Sequence, residues 1–378
     1  MTAACGSYDL AVVGAGIVGL AHALAGVRRG QRVVVLDRER RANGASVRNF
    51  GFVTVTGQQR GACWQRALRS RDVWAEIAAP AGIRIEQAGL IVVAQRAEAM
   101  AVLEAFAAGE MGSGCVLLTA REVRERLPVP PATAIAGGLF SPHERRVESR
   151  TAIPRLAAWL AEAHGVTFLR PVAVHGVAPG RLATGAGEIA ARRIVVCPGD
   201  DLVTLLSERL ATYGLTRCKL HMLRLADPRR RLGVAVMSDL SLVRYLGYAE
   251  LPEAQPLRQR LAAEQAHALR HGVHLIVVQS ADGSLVVGDS HHHGDPPEPF
   301  DDAAVDAVIL DELRRVLDLG TVPVIARWTG TYAHAADRLM LIDRPDPTIR
   351  VVIVTSGTGA STAFAIAEEV LDELLGGG

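Results

Sequence analysis

Three glycines near the N-terminus have the spacing of a phosphate-binding turn. Gly14, Gly16 and Gly19 form the pattern G-x-G-x-x-G, and Asp37 follows about 20 residues later. The first glycine permits a sharp turn, the second lets the backbone approach a pyrophosphate, and the third lets a helix pack closely on a strand. An acid at position 37 suits free ribose hydroxyls, so the pattern favours NAD or FAD over NADP.

The residues around these glycines predict the elements that position them. Residues 10–13 and 33–36 are short apolar runs typical of buried parallel strands. The helix between them begins at Ile17 and Val18, where free N–H groups and the positive end of the helix dipole would face a phosphate. The alternative is a glycine-rich packing turn, which would need neither the flanking elements nor the acid.

Two later segments also end a strand at small residues. The apolar run that ends at Cys197 is followed by Pro198 and Gly199, which suits another close backbone approach to a cofactor. The strand predicted at 349–356 is followed by a glycine turn and a helix, whose N-terminus is a second site for an anion or a carbonyl group. The residues of that turn are Gly357, Thr358, Gly359 and Ala360.

The rest of the chain predicts an α/β protein, α+β overall, with a discontinuous nucleotide-binding domain and an inserted antiparallel sheet. We expect the Rossmann-like nucleotide-binding domain to comprise residues 1–81, 146–214 and 327–378, and the substrate domain to comprise 82–145 and 215–326. Residues 82–94 are expected to form two strands joined by a turn, 134–149 a hairpin, and 272–289 a second hairpin. Thr119 and Glu122 have the spacing of a capping box that begins a helix.

Composition limits the function classes. The chain has 378 residues, which favours two domains, and its formal net charge of +1 gives no reason to expect a nucleic acid or an anionic membrane as partner. The longest apolar run, 10–27, is too short and too rich in glycine for a membrane span. The five cysteines show no C-x-x-C spacing, and no signal peptide is evident, so we expect a cytoplasmic protein without a disulfide framework.

These motifs together resemble the FAD-dependent amine and amino-acid oxidoreductases of the D-amino-acid oxidase, glycine oxidase and sarcosine oxidase type. The resemblance rests on VVGAGIVGL with Asp37, VVCPG and SGTGAST, and it covers nearly the whole chain. The segments GASVRNFGFVTVTGQ, TRCKLHMLR and RWTGTYA are more particular, and resemble a bacterial branch associated with aminophosphonate breakdown. That branch is thought to oxidise 2-aminoethylphosphonate or its N-methyl derivative.

The resemblance implies FAD as cofactor and places the segment after Asp37 beneath the flavin. In this reading Arg48 and Asn49 donate to the flavin ring, the phosphates or an anionic substrate, and the turn that begins at Gly357 points at the flavin. The residues expected to contact FAD are Gly14, Gly16, Ile17, Val18, Gly19, Asp37, Arg38, Ala45, Ser46, Asn49, Val172, Cys197, Pro198, Gly199, Gly357, Thr358, Gly359 and Ala360.

The chemistry expected is hydride transfer from the carbon beside a deprotonated amine nitrogen, which gives an imine that hydrolyses to an aldehyde or keto acid. Lys219, Arg48, His292 and Tyr332 are the predicted catalytic residues. Lys219 would help reduced flavin react with oxygen. A phosphonate would need a cationic clamp, for which Arg48, Arg217, Arg327 and Lys219 are candidates, with Tyr332 and His334 as further donors.

Several alternatives stay open. We do not expect the tract His291–His293 to bind a metal, because neighbouring side chains on a strand point to opposite faces. No acidic or cysteine residue lies at the spacing from it that metal sites show. Covalent flavin attachment through Cys218 or one of these histidines stays open, as does oxygen or another electron acceptor. A glycine- or sarcosine-type oxidase, an NAD-linked dehydrogenase and a flavin-binding partner subunit are the competing functions. A monomer or a small homo-oligomer is expected.

Overall fold

The structure is a computed structural model that describes residues 7–376. Cys5 lies outside the described residues, and the four other cysteines are free within them. Between residues 7 and 376, no helix is both long enough and apolar enough to cross a membrane.

Strands and helices are mixed along the whole described chain. The strands are β1 (Tyr8–Val13), β2 (Val33–Leu36), β3 (Phe52–Val53), β4 (Ile85–Ala94), β5 (Val116–Thr119), β6 (Gly137–Val147), β7 (Thr167–Leu169), β8 (Val174–Ala178), β9 (Arg181–Thr184), β10 (Gly187–Val196), β11 (Thr216–Leu225), β12 (Ala235–Met237), β13 (Ile276–Gln279), β14 (Leu285–Gly288), β15 (His292–Gly294), β16 (Val324–His334), β17 (Met340–Asp346) and β18 (Ile349–Val354). The α-helices are α1 (Ile17–Arg28), α2 (Ala62–Ala78), α3 (Ala97–Ala108), α4 (Ala120–Arg126), α5 (Ser149–His164), α6 (Ser207–Ala211), α7 (Leu246–Ala249), α8 (Ala254–Glu264), α9 (Ala266–Arg270), α10 (Ala303–Val316) and α11 (Gly359–Gly376). Two 3₁₀ turns lie at Glu110–Gly112 and Asp239–Val243.

The first sheet has the main strand order β17-β18-β10-β1-β2-β7, along which every strand except the edge strand β17 is parallel to its neighbours. Strand β9 also pairs antiparallel with β10, and β8 with β9. Helices α1, α2, α5 and α11 bury one face of this sheet in a shared apolar core. The strands β8 and β9, with α6, help to cover the other face. A parallel sheet buried on both faces explains why residues 10–13 of β1 and all four residues of β2 are apolar.

The second sheet has the order β15-β11-β14-β13-β12-β4-β6-β3, with β16 paired to β11 and β5 to β6. Its pairings are antiparallel except that of β12 with β4. It shares a large apolar core with helices that include α3, α8 and α10. The predicted domain boundary at residue 326 falls inside β16, which stays in the second sheet up to His334.

Two regions that were predicted to contain a turn each form one continuous strand. Residues 85–94 form the single strand β4, in which Gly89 has a φ of +92° at a shift in register with β6. Residues 137–147 form the single strand β6 rather than a hairpin. Gly137 and Gly138 lie where a side chain would press on neighbouring strands, because an added Cβ would meet the carbonyl oxygens of Leu118 and Val92 at 2.7 Å. These glycines mark a bulge and close strand packing, not turns.

Other local predictions are confirmed. Thr119 and Glu122 form the predicted capping box at the start of α4. The hairpin of β13 and β14 forms within residues 272–289, with its turn at 281–284.

Candidate active site

The turn between β1 and α1 has the close contacts that its glycines predict. Gly14 has a φ of +101°, and a Cβ at this position would lie 2.3 Å from the carbonyl oxygen of Cys197. A Cβ at Gly19 would lie 1.9 Å from the carbonyl oxygen of Gly14. Side chains would therefore push β10 away from β1 and lift α1 off the turn. The parallel strands β1, β2 and β10 end together around this turn.

Two side chains from other segments hold the start of α1. The backbone N–H of Ala15 donates to Asp37 Oδ2 at 2.7 Å, and that of Ile17 donates to Ser46 Oγ at 2.9 Å. The buried Nε and Nη2 atoms of Arg170 have no hydrogen-bond partner within residues 7–376. Burial lowers the pKa of this guanidinium, and the charge of Asp37 opposes that shift. Of these groups, the Arg170 atoms are the ones left without a partner, and the phosphates of a ligand bound at this turn can supply it.

A cavity of about 430 Å³ extends from this turn to the second sheet. Its wall includes the start of α1, the segment 45–50, the α11 N-terminus and strands of both sheets. Of the predicted cofactor contacts, those on the wall are Ile17, Val18, Ala45, Ser46, Asn49, Gly199, Gly357, Thr358, Gly359 and Ala360. The others lie outside the lining, at or near the carboxyl ends of strands of the first sheet or within the first turn: Gly14, Gly16, Gly19, Asp37, Arg38, Val172, Cys197 and Pro198.

Asn49 reaches the cavity wall but its amide is engaged within the protein. Its Nδ2 donates to the carbonyl oxygen of Ala45 at 2.7 Å, and its Oδ1 accepts from the backbone N–H of Gly51 and from Ser149 Oγ. These contacts fold the segment 45–51 and use one of the two Nδ2 hydrogens, so donation by Asn49 to the ring, the phosphates or an anionic substrate stays a prediction. Gly51 has a φ of +68°, and a Cβ added there would lie 1.7 Å from the carbonyl oxygen of Val147. The backbone of the segment therefore packs directly against the end of β6.

The N-terminus of α11 closes the cavity opposite α1. Gly357 has a φ of +73°, and a Cβ there would meet the Tyr332 ring at 3.1 Å. Trp74 Nε1 donates to the carbonyl oxygen of Ala360, and Ser361 Oγ accepts from the backbone N–H of Thr54, which fixes the first turn of the helix. Free N–H groups at 357–360 can stabilise a negative charge that develops beside them.

Of the four predicted cationic candidates, Arg48 lines the cavity and the other three do not. Arg217 pairs with Asp295, and Arg327 pairs with Asp306. A further arginine, Arg244, was not among the predicted candidates. It follows the 3₁₀ turn at 239–243 and lines the same cavity. Its guanidinium has no hydrogen-bond or ion-pair partner among the residues that the structure describes. Arg48 donates to one neutral group, Asn43 Oδ1, at 3.1 Å.

Lys219 lies away from the cavity, contrary to the sequence prediction. Its Nζ donates to the carbonyl oxygens of Glu298 and Phe300, both at 2.7 Å, and to Asp301 Oδ1 at 3.0 Å. Leu220, the next residue on β11, lines the cavity instead. Since neighbouring side chains on a strand point to opposite faces, Lys219 faces the covering segment 298–301.

The histidine tract divides in the same way. His291 lines the cavity, whereas His292 points away and its Nε2 lies 3.1 Å from His271 Nδ1, so the predicted catalytic position of His292 is wrong. The three consecutive histidines do not converge, as predicted. His291 nevertheless meets Asp289 and His274, whose side-chain ligand atoms all lie within 4.8 Å of one another. The prediction that no acidic partner lies near the tract is therefore wrong, since Asp289 lies two residues before His291.

Burial dominates the electrostatics of this group, which we call the Asp289 cluster (His274, Asp289 and His291). Burial raises the pKa of Asp289 to about 7, and the charge of Arg244 opposes this shift. Burial, reinforced by Arg244, holds the pKa of His274 and of His291 well below its usual value. Both rings are therefore neutral at pH 7, next to a carboxyl group that titrates near neutrality.

A signal for this cluster was present in the sequence. The predicted hairpin brings its two ends together, and the backbones of His274 and Asp289 are paired with each other across it. Asp289 and His291 are two residues apart and share one side of the chain. Arg244 had no such signal, since it lies in an irregular stretch between β12 and α8.

The fold and the cavity define a protein that holds a dinucleotide on a parallel sheet and closes the site with a second sheet. A model of the family described as FAD dependent oxidoreductase matches residues 9–373. The chain belongs to this family. It is therefore an oxidoreductase whose cofactor is FAD, and the predicted fold class is confirmed.

Solved structures share this fold over nearly their whole length. Glycine oxidase from Geobacillus kaustophilus is 20% identical, with a TM-score of 0.76 over 98% of this chain and 95% of that one. L-α-glycerophosphate oxidase from Mycoplasma pneumoniae, solved with FAD bound, is 15% identical, with a TM-score of 0.75 over 98% and 95%. At these identities the likeness establishes the fold alone.

One curated relative matches over a short region. It is the bifunctional protein MnmC of tRNA 5-methylaminomethyl-2-thiouridine biosynthesis from Maricaulis maris, 31% identical over 100 residues. The match spans 26% of this chain and 17% of that protein.

Proposed function

We propose that this protein oxidises a small amine that also carries an anionic group, with an aminophosphonate such as 2-aminoethylphosphonate or its N-methyl derivative as the substrate. FAD, when bound, accepts a hydride from the carbon beside the nitrogen. The imine product then hydrolyses to an aldehyde. Glycine oxidase is among the proteins that share the fold, which supports chemistry at a carbon–nitrogen bond.

The observation that carries the proposal is the charge distribution of the cavity. Arg48 and Arg244 line it, and neither forms an ion pair with an acid among residues 7–376. The carboxyl group of Asp289, whose ionised form the charge of Arg244 favours, lies on the same wall. A small zwitterion matches this arrangement, because its anion can bind the guanidinium groups and its ammonium group can approach the carboxylate. Two arginines favour a phosphonate over a carboxylate, since a dianion is costly to bury unless several cationic donors surround it.

The chain's own groups would position such a substrate. Phe50, Leu220 and Ile276 supply apolar walls on which the carbon chain can pack. Tyr332 contacts Gly357 at the start of α11 and lines the cavity, where its hydroxyl can donate to an anion. The N–H groups at 357–360 favour the additional negative charge of the reduced cofactor.

The proposal is tested by the visible spectrum of the FAD-loaded protein under anaerobic conditions. We expect N-methyl-2-aminoethylphosphonate or 2-aminoethylphosphonate to bleach the flavin band. Sarcosine, glycine and N-methylethylamine, which lacks the anion, should bleach it at least about tenfold more slowly at equal concentration, since a lost charge-assisted contact costs about that factor. Bleaching by sarcosine or glycine alone would support the amino-acid oxidase alternative, and bleaching by none of these compounds would overturn amine oxidation.

A further inference from the structure

The Asp289 cluster contains hydrogen-bond acceptors that have too few donors around them. Nε2 of His274 lies 3.2 Å from Asp289 Oδ1, and Nε2 of His291 lies 3.7 Å from Asp289 Oδ2. The shorter separation does not have the angles of a hydrogen bond, and Asp289 Oδ1 has no hydrogen-bond partner within residues 7–376. A buried carboxylate oxygen without a donor is costly, so the cluster needs a positive or proton-bearing partner.

The tautomer of His291 makes this need stronger. Its Nδ1 lies 3.0 Å from the carbonyl oxygen of Gly272, which only accepts hydrogen bonds, so Nδ1 carries the proton. The neutral ring therefore directs the lone pair of Nε2 towards Asp289. His274 stacks on His291 with ring centroids 5.0 Å apart and an interplanar angle of 24°. A lone pair and a carboxylate converge on one point, which is the arrangement that binds a cation.

The cation that the cavity can supply is the ammonium group of its substrate. We propose that the Asp289 cluster binds this ammonium group and that Asp289 accepts its proton before oxidation. The step breaks one N–H bond and forms one O–H bond on Asp289. The positive ammonium and the negative carboxylate become a neutral amine and a neutral acid, so no net charge is gained or lost in the buried site. The inference rests on the proposed function, since it requires an amine substrate.

The groups around Asp289 are suited to this exchange. Those that face it from neighbouring elements are His274, His291, Arg244, Tyr245, Tyr332 and Cys218. Arg244 is the charged one among them, and it favours the ionised carboxylate. Burial has the opposite effect and leaves the acid with a pKa of about 7, close to the value at which a general base works best.

The test uses the FAD-loaded protein and the variant Asp289→Asn. Three ligands distinguish the contacts of the ammonium group from those of the anion. N-methyl-2-aminoethylphosphonate is the expected substrate, and ethylphosphonate lacks the amine. The third, 2-amino-2-methylpropylphosphonate, cannot be oxidised because the carbon beside its nitrogen has no hydrogen. We expect the Kd of the unreactive amine to rise about tenfold to a hundredfold in Asp289→Asn, as for a lost charge-assisted hydrogen bond. The Kd of ethylphosphonate should stay within about twofold, because its anion binds elsewhere.

The pH dependence of anaerobic flavin reduction gives a second readout. In the native protein the rate should level off above about pH 7, where Asp289 is ionised. In Asp289→Asn the rate should keep rising towards the pKa of the free amine, since substrate must then arrive deprotonated. Glu312→Gln is the matched control, because Glu312 is also a buried acid with a pKa raised by burial but does not line the cavity. It should behave like the native protein in both measurements.

A measurement on the native protein keeps the test decisive if Asp289→Asn fails to fold. Calorimetric titration with 2-amino-2-methylpropylphosphonate at pH 8, in buffers of different ionisation enthalpy, counts protons released on binding. Near-zero release means that the ammonium proton stays within the site, as the inference requires, whereas about one proton per ligand means that the neutral amine binds and overturns the inference. Three other results would also overturn the inference. The first is that the native protein and Asp289→Asn have the same affinity for the unreactive amine and the same pH profile. The second is that Asp289→Asn weakens the binding of ethylphosphonate as much as that of the unreactive amine, and the third is that elemental analysis finds a stoichiometric divalent metal. If native flavin is bleached by no amine, the proposed function itself fails, and the inference fails with it.

Discussion

Ser46 Oγ lies 2.9 Å from the backbone nitrogen of Ile17, the first residue of α1, and accepts its N–H. The two residues are far apart in the chain, and the contact joins the segment that follows Asp37 to the start of the nucleotide-binding helix. Gly16 lies beneath this contact, because a Cβ added there would lie 2.9 Å from the same Oγ. If this turn binds the pyrophosphate, as its glycines predict, then cofactor binding and the fold of the segment 45–51 depend on the same contact.

Gly16→Ala should lower the FAD content of the purified protein and the stability of the apoprotein. The methyl group would press on Ser46 and would also fill the space that a pyrophosphate needs. In the Ser46→Ala background the loss of stability should shrink by about 0.5–3 kcal/mol, the usual coupling between residues in contact, while FAD content stays low. Urea unfolding and the ratio of flavin to protein absorbance measure the two effects.

Gly185→Ala is the control for this substitution, because a Cβ there meets nothing within 4 Å and the residue lies between β9 and β10, outside the cavity lining. It should change neither quantity. Full FAD content in Gly16→Ala would contradict the assignment of this turn to the pyrophosphate.

Arg244→Met should raise the Kd of anionic amines about tenfold to a hundredfold, since it removes an unpaired guanidinium from the cavity wall. The Kd of a neutral amine such as N-methylethylamine should change little. Perturbation of the flavin spectrum on titration gives both constants. Arg327→Met is the matched control, because Arg327 is exposed and pairs with Asp306 outside the cavity. An equal effect of both substitutions would remove Arg244 from the clamp.

Lys219→Met should lower the free energy of unfolding by about 1–3 kcal/mol, because it leaves the carbonyl oxygens of Glu298 and Phe300 without their buried donor. The rate at which oxygen reoxidises the reduced flavin should stay unchanged, since Lys219 does not line the cavity. Urea unfolding and stopped-flow reoxidation measure these quantities. Arg314→Met, which removes an exposed cation paired with Asp311, should cost little. Slow reoxidation with normal stability would restore Lys219 to the flavin site.

Asp289→Asn should change how stability depends on pH. Burial raises the pKa of Asp289 from 3.8 to about 7, so between these values the folded state holds a proton that the unfolded state releases. The stability that Asp289 contributes is therefore complete below about pH 4 and is lost as pH rises to about 7, by up to roughly 1.4 kcal/mol per pH unit. His274 and His291 act in the opposite sense, since their low pKa values cost stability as pH falls below 6.5.

The difference in unfolding free energy, native minus Asp289→Asn, isolates the carboxyl group because the histidines are present in both proteins. This difference should fall as pH rises from 4 to 7 in urea titrations of the apoproteins. A flat or rising difference would show that Asp289 is not the group that titrates near neutrality.

The sequence by itself determined the nucleotide-binding half of the protein. Gly14, Gly16 and Gly19 lie within one turn, and their requirements for backbone geometry are set by near neighbours. The strand, glycine turn and helix at the C-terminus are equally local, as is the capping box of Thr119 and Glu122. The family followed from these motifs, because their order and spacing are distinctive even where overall identity is low.

Only the tertiary structure decided which side chains face the cavity. Strand β11 is buried on both faces along most of its length, so the alternation of polar and apolar residues could not show that Leu220 and not Lys219 lines the site. Glycines at 89, 137 and 138 indicated turns, although they serve a bulge and close strand packing. Arg244 and the Asp289 cluster lie far from the motifs in sequence, and the pairing of strands and the docking of an irregular segment bring them to the cavity. Those long-range contacts depend on register and burial, which local patterns do not encode.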